Sequence, residues 1–184
     1  MLMYLTLLGA LRYNFGMENV ILIGMPASGK STAGVLIAKK LGYGFIDTDL
    51  LLQKREGKLL CDILKERGAE GFIDAEERVN NELAADRCVI ATGGSVIYGE
   101  KAMKNLKALG RVVYLRAGEE EPEKRLRGED IFARGVVMKK KGESLGELLS
   151  ERAPLYEKYA VIIIDCDGAQ LEDTADAVVA ALKK

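Results

Sequence analysis

One stretch of this sequence can be accommodated by few folds. Val20 to Ile23 is an apolar run that reads as a buried strand, and it leads straight into Gly24-Met-Pro-Ala-Ser-Gly29-Lys30-Ser31-Thr32. Apolar spacing resumes at once at Ala33, Leu36, Ile37 and Leu41, which fall on one helical face, and Gly42 is placed to end that helix. The G-x-x-x-x-G-K-S/T pattern between a strand and a helix is a phosphate-binding loop. Its glycines let successive backbone N–H groups turn inward onto phosphate oxygens, and the helix adds the positive end of its dipole. The nucleotide contacts are expected from Ala27, Ser28, Gly29, Lys30, Ser31 and Thr32. Lys30 would reach the β- and γ-phosphates and the Ser31 hydroxyl would sit on Mg²⁺. The chain is thereby read as binding a nucleoside triphosphate, with ATP and Mg²⁺ as its cofactors.

Four more apolar segments alternate with helical patterns. Phe45-Ile46 runs into Asp47-Thr48-Asp49, Cys88 to Thr92 ends in Gly93-Gly94-Ser95, and Arg111 to Leu115 and Val161 to Asp165 complete the set. Between them, helices are expected from Phe72 to Leu83, Glu100 to Leu109 and Glu119 to Leu126, from a capping box at Ser144 and Glu147 towards Tyr159, and from Leu171 to Leu182. Gly57 and Gly68 punctuate helical pieces, and Pro154 reads as an interruption. Short apolar strands alternating with helices imply an α/β fold: three layers, with a five-stranded parallel sheet covered on both faces. In such sheets ligands sit beyond the carboxyl ends of the strands, so the phosphate loop, Asp47 to Asp49 and Thr92 to Ser95 are expected to converge on one cleft.

Residues 128 to 143 lack periodicity and hold three glycines and three consecutive lysines, which suggests a mobile lid. Arg134 lies in it and would either swing onto a transferring phosphoryl group or stay a solvated loop charge. Asp47 and Asp49 alternate along a strand end and so face different ways, one towards the magnesium and the other towards a substrate hydroxyl. Because the third strand ends in Ala-Thr-Gly-Gly with no aspartate, Asp47 is the residue left to support the metal. Gly93 and Gly94 offer close backbone approach, and Arg152 would either fork a carboxylate or remain on the surface.

Composition narrows the partners. Lys and Arg total 27 against 28 Asp and Glu, a formal net charge of −1, so there is no basic excess for nucleic acid. The absence of histidine leaves proton transfer to carboxylates, lysines or the substrate. Cys61, Cys88 and Cys166 are far apart and odd in number, which fits a reducing, cytoplasmic setting without a zinc site or disulfide framework. Residues 1 to 16 hold an apolar run without the leader of a signal peptide and too short to span a bilayer. They are read as an appended segment or a misassigned start ahead of one domain over residues 17 to 184, expected to act as a monomer with no membrane contact.

As a set, GMPASGKST, FIDTD, IATGG and RAPLYEKYA resemble the shikimate kinase family, small phosphate-loop kinases that make shikimate 3-phosphate from ATP, over residues 19 to 184. The resemblance implies strand order 2-3-1-4-5 in a P-loop NTPase fold and a lid that closes over substrate. It also implies Asp47 near the magnesium, Asp49 on the substrate hydroxyls as the base, Gly93 and Gly94 beside the ring, Arg134 near phosphate and Arg152 on the substrate carboxylate. Lys30, Asp49 and Arg134 would then carry the catalysis. The chain departs from the family where Phe-Arg becomes Phe72-Ile73, where the third glycine becomes Ser95, and where the lid reads Arg134-Gly135-Val136-Val137. Losing an arginine from a buried carboxylate weakens that contact by roughly 1.5–3 kcal/mol. Either another cation such as Arg78 compensates, or the acceptor is a different small hydroxylated metabolite. A nucleotide-binding regulatory protein without transfer activity is the remaining alternative.

Overall fold

The computed structural model describes residues 18–118, 135–138 and 144–184. Its strands are β1 (Asn19–Ile23), β2 (Gly44–Asp47), β3 (Cys88–Ala91), β4 (Gly110–Arg116) and β5 (Ile162–Asp165). They form one parallel sheet in the order β2-β3-β1-β4-β5, as expected. β1 is buried at all of its positions because it lies at the centre, with Ile21 opposite Ile90 on one side and Val112 on the other.

The alternation of side chains along a strand divides the core in two. Ile21, Ile23, Ile90, Val112 and Tyr114 pack with Met103 and Leu106 of α4 (Glu100–Leu109) and with Leu148 and Tyr156 of α5 (Leu145–Tyr159). On the other face Val20, Leu22, Val89, Val113 and Leu115 pack with Ile37 of α1 (Lys30–Leu41) and Val178 of α6 (Leu171–Leu182). Asn19 ties the strand starts together: its amide donates to the carbonyls of Ala85 and Leu109 at 2.8 and 2.9 Å and accepts from Cys88 N–H at 2.9 Å. Among the described residues, no helix is long and apolar enough to cross a membrane.

Two helices, α2 (Thr48–Glu56) and α3 (Leu60–Asn81), build a smaller lobe around Leu52, Ile63, Phe72, Ala75 and Val79. Gly57 ends α2 with a left-handed φ of 67°. Gly68 breaks the helical run as expected: its φ of 67° and ψ of −177° are non-helical and divide α3 into two pieces across a kink, the second stopping at Asn81, short of Leu83. Pro154, by contrast, does not interrupt α5. Leu148, Arg152 and Tyr156 are buried on both sides of it, and that tertiary burial outweighs the local cost of the missing N–H. The capping box at Ser144 and Glu147 is present in full. The helix expected over residues 119 to 126, the Lys139 to Lys141 run and residues 1 to 16 lie outside the described residues.

Candidate active site

The phosphate loop takes its shape from three left-handed positions, Gly24 (φ 148°), Ala27 (φ 60°) and Gly29 (φ 95°). At Gly24 a Cβ would stand 2.6 Å from the Leu115 carbonyl oxygen, so β4 itself excludes a side chain there. Gly29 caps α1 without a side-chain hydrogen bond, which leaves the first-turn N–H groups for the loop's ligand. Lys30 is buried, and its Nζ donates to the carbonyls of Gly24 and Met25 at 2.9 and 2.7 Å. Burial pushes its pKa down to about 8, against the pull of Asp49.

β2 ends at Asp47 and the chain turns at once into α2, so Asp49 is a first-turn helical residue rather than the end of a strand. The two aspartates still face apart, for a different reason. Asp47 caps α2, its Oδ1 accepting from Asp49 N–H at 3.0 Å, and its Oδ2 accepts from the Ser31 hydroxyl at 2.7 Å. Asp49 faces the cleft instead, and burial with the nearby Asp47 charge raises its pKa to about 6.

The cleft has a volume of about 690 Å³ and opens over the carboxyl ends of the strands. Ala27, Gly29, Lys30, Ser31 and Thr32 line one side, and Asp49, Gly93, Gly94 and Arg152 line the other. Ser28 is buried and is not part of the lining; its hydroxyl lies beneath Gly24. Asp47 is also off the lining and meets the cleft through its hydrogen bonds with Ser31 and Asp49. Arg134 falls outside the described residues, although the neighbouring Gly135, Val136 and Val137 line the cleft.

Arg152 is not a surface residue: only 1% of it is exposed. Its Nη2 donates to the Val137 carbonyl at 2.6 Å, its Nε donates to the Tyr98 hydroxyl at 3.2 Å, and the guanidinium lies 5.3 Å from the Tyr98 ring centroid. Nη1 lies 3.1 Å from the point where a Cβ on Gly94 would sit, on the cleft side. Tyr156, one turn on, donates to the Gly94 carbonyl at 2.6 Å, which fixes the glycine pair against α5. Ile73 packs with the α2–α3 cluster and does not line the cleft. Arg78 is exposed and does not reach the cleft, so it is not the compensating cation.

Tyr98, Glu76 and the polar role of Ser95 had no expected place in the site. Glu76 had one legible signal, a carboxyl four residues after Phe72 on an otherwise apolar helical face. It is buried beside Ser95, whose Oγ donates to Oε2 at 2.5 Å. Burial, followed by the Asp49 charge, pushes its pKa up to about 8, against the Ser95 hydrogen bond and the charges of Arg152 and Lys30.

A family model described as shikimate kinase matches residues 26–183. The chain is 37% identical over 164 residues to the shikimate kinase of Thermodesulfovibrio yellowstonii, covering 89% of this chain and 94% of that protein. Against the shikimate kinase of Clostridium botulinum strain 657 it is 39% identical over 171 residues, 91% and 98% of the two chains. The solved shikimate kinase from Acinetobacter baumannii in complex with shikimate superposes with a TM-score of 0.82 at 30% identity, covering 91% of this chain and 94% of that one.

Proposed function

The chain belongs to the shikimate kinase family, and we propose that the cleft over the strand ends is where it carries out the family's reaction. It is an ATP-dependent small-molecule kinase that phosphorylates shikimate, a step of aromatic amino acid biosynthesis. The observation that carries the site assignment is the meeting of Lys30, Asp49 and the buried Arg152 in one cleft. A phosphate-binding cation, a carboxylate and a carboxylate-binding cation are the three charges the reaction needs.

Arg152 and the Gly94 backbone hold the shikimate carboxylate end, and Asp49 faces the hydroxyl to be phosphorylated. With its pKa near 6, Asp49 is ionised at neutral pH yet is a better proton acceptor than an ordinary aspartate. Lys30 leaves the loop carbonyls for the β- and γ-phosphates. Arg134 is assigned to the transferring phosphoryl group on its sequence position alone. Most of the rate gain then comes from positioning and charge stabilisation, as is usual for phosphoryl transfer.

The Ser31 hydroxyl and the Asp47 carboxylate, 2.7 Å apart, fit a hard cation that takes most of its ligands from phosphates and water. When bound, Mg²⁺ would neutralise charge on the β- and γ-phosphates. A single domain over residues 17 to 184, a monomeric working unit and a cytoplasmic location belong to the same proposal. The family match over residues 26–183 supports the single domain, and three free cysteines support the location.

A panel of hydroxylated acids in a coupled ADP-release assay tests the acceptor. Shikimate is expected to be the best acceptor; turnover with another polyol and none with shikimate would overturn the assignment.

A further inference from the structure

Ile73 and Ser95 look like unrelated departures in the sequence, and of the two only Ser95 lies on the cleft. Ile73 turns into the α2–α3 cluster and brings no cation there. Ser95 instead holds Glu76, a carboxyl with 2% of its surface exposed that lines the cleft from α3. Among the described residues, no Lys or Arg forms an ion pair with Glu76. Its Oε2 is satisfied by Ser95, while its Oε1 is buried and has no hydrogen-bond partner. Such an oxygen, protonated or not, costs free energy until a hydrogen-bond partner reaches it.

The position of Oε1 shows where that partner must come from. It lies 2.0 Å from the point where a Cβ on Gly93 would sit, and Asp49 Oδ1 lies 2.8 Å from the same point. The two carboxyl oxygens therefore flank the bare face of Gly93, one from α3 and one from α2. Lys30 from α1 and Arg152 from α5 are the cations whose charges act on Glu76, and Ser95 after β3 is its hydrogen-bond donor. A carboxylate on Asp49 beside a carboxyl on Glu76 matches two adjacent hydroxyls on one ligand, since a hydroxyl both donates and accepts.

We propose that Glu76 is an acceptor-contacting residue in this chain: Oε1 hydrogen-bonds a shikimate hydroxyl next to the one Asp49 faces, and Ser95 positions it. The assignment rests on the acceptor site proposed above. It adds recognition of a second hydroxyl by a carboxyl group from α3, the helix that also carries Ile73. The glycine at 93 is then required not only for backbone approach but because any side chain would fill the gap between the two carboxyls.

The test compares wild type, Glu76→Ala, Glu76→Gln and Ser95→Ala with ATP, using shikimate and the two monodeoxy analogues that keep the reacting hydroxyl. Wild type is expected to lose at least tenfold in kcat/KM on the analogue that lacks the contacted hydroxyl. Glu76→Ala should raise the KM for shikimate about ten- to a hundredfold, leave the KM for ATP within twofold, and erase the discrimination between shikimate and that analogue. Glu76→Gln, a neutral side chain of the same shape with both a donor and an acceptor, should retain part of the discrimination. Ser95→Ala should raise the shikimate KM with kcat nearly unchanged, and it decides the matter if Glu76→Ala does not fold. Discrimination that survives in a folded Glu76→Ala or Ser95→Ala variant overturns the proposal, as does an equal rise in both KM values. A wild type that does not turn over shikimate at all overturns the acceptor assignment instead.

Discussion

Arg152 permits a sharp separation of charge from geometry. Replacing it with lysine keeps a cation near Lys30 and the cleft but substitutes one flexible ammonium for a planar fork. The native guanidinium spends Nη2 on the Val137 carbonyl and Nε on Tyr98, and turns Nη1 towards Gly94 and the cleft. A lysine cannot serve all three directions, so a charge-assisted hydrogen bond to the acceptor carboxylate is lost or shared. Such a bond is worth about 1.5–3 kcal/mol, which corresponds to about a ten- to 150-fold rise in the KM for shikimate. The local field at Lys30 is largely preserved, so the KM for ATP should stay within about twofold. The coupled ADP-release assay, run with each substrate varied at saturation of the other, separates the two. A shikimate KM within threefold of wild type, or an ATP KM that rises as much as the shikimate KM, would refute the placement of Arg152 on the acceptor side. Melting of the variant should show a loss of about 1–3 kcal/mol for the Val137 carbonyl left without its donor.

Asp49→Asn keeps the shape of the cleft but removes the proton acceptor, and kcat should fall about 10²–10⁴-fold with both KM values nearly unchanged; a smaller loss in single-turnover kinetics would remove Asp49 as the base. Gly93→Ala drives a methyl group between Glu76 and Asp49, so shikimate turnover should fall more than about a hundredfold while binding of a fluorescent ATP analogue persists, and normal turnover would show that the two carboxyls do not flank the acceptor. Glu76 titrates near 8 in the folded protein against 4.5 ordinarily, so the folded state holds a proton that the unfolded chain has lost. The stability it contributes is complete below about pH 4.5 and disappears as pH rises through about 8. Urea unfolding between those limits should show this fall in wild type and a flatter slope in Glu76→Gln, and equal slopes would contradict the buried, proton-holding carboxyl.

The nucleotide side of the cleft was legible because its chemistry is contiguous. Strand, loop, lysine and helix follow one another between Val20 and Leu41, and each piece has its own local signature. Strand boundaries were also close, since the buried runs are punctuated by glycine and charge. The acceptor side is assembled from residues far apart in the chain, and pairings of that kind leave no periodic trace. Ser95 and Glu76 meet across nineteen residues and Arg152 reaches Tyr98 across fifty-four. A local rule failed where tertiary packing was stronger, at Pro154 inside α5, and held at Gly68, which breaks α3. The two aspartates were read as alternating along a strand, but the chain turns into a helix at Thr48, and it is the cap made by Asp47 that sends their carboxyls apart.

The most direct measurement is ³¹P NMR of the wild-type protein with ATP, Mg²⁺ and shikimate, with the Asp49→Asn variant alongside. The expected result is stoichiometric loss of the γ-phosphate signal, growth of one phosphomonoester resonance assigned to shikimate 3-phosphate, and at least a hundredfold slower growth in the variant. ATP that stays intact in the presence of shikimate, or a phosphomonoester that forms as fast without Asp49, would contradict a transfer site shared by Lys30, Asp49 and Arg152.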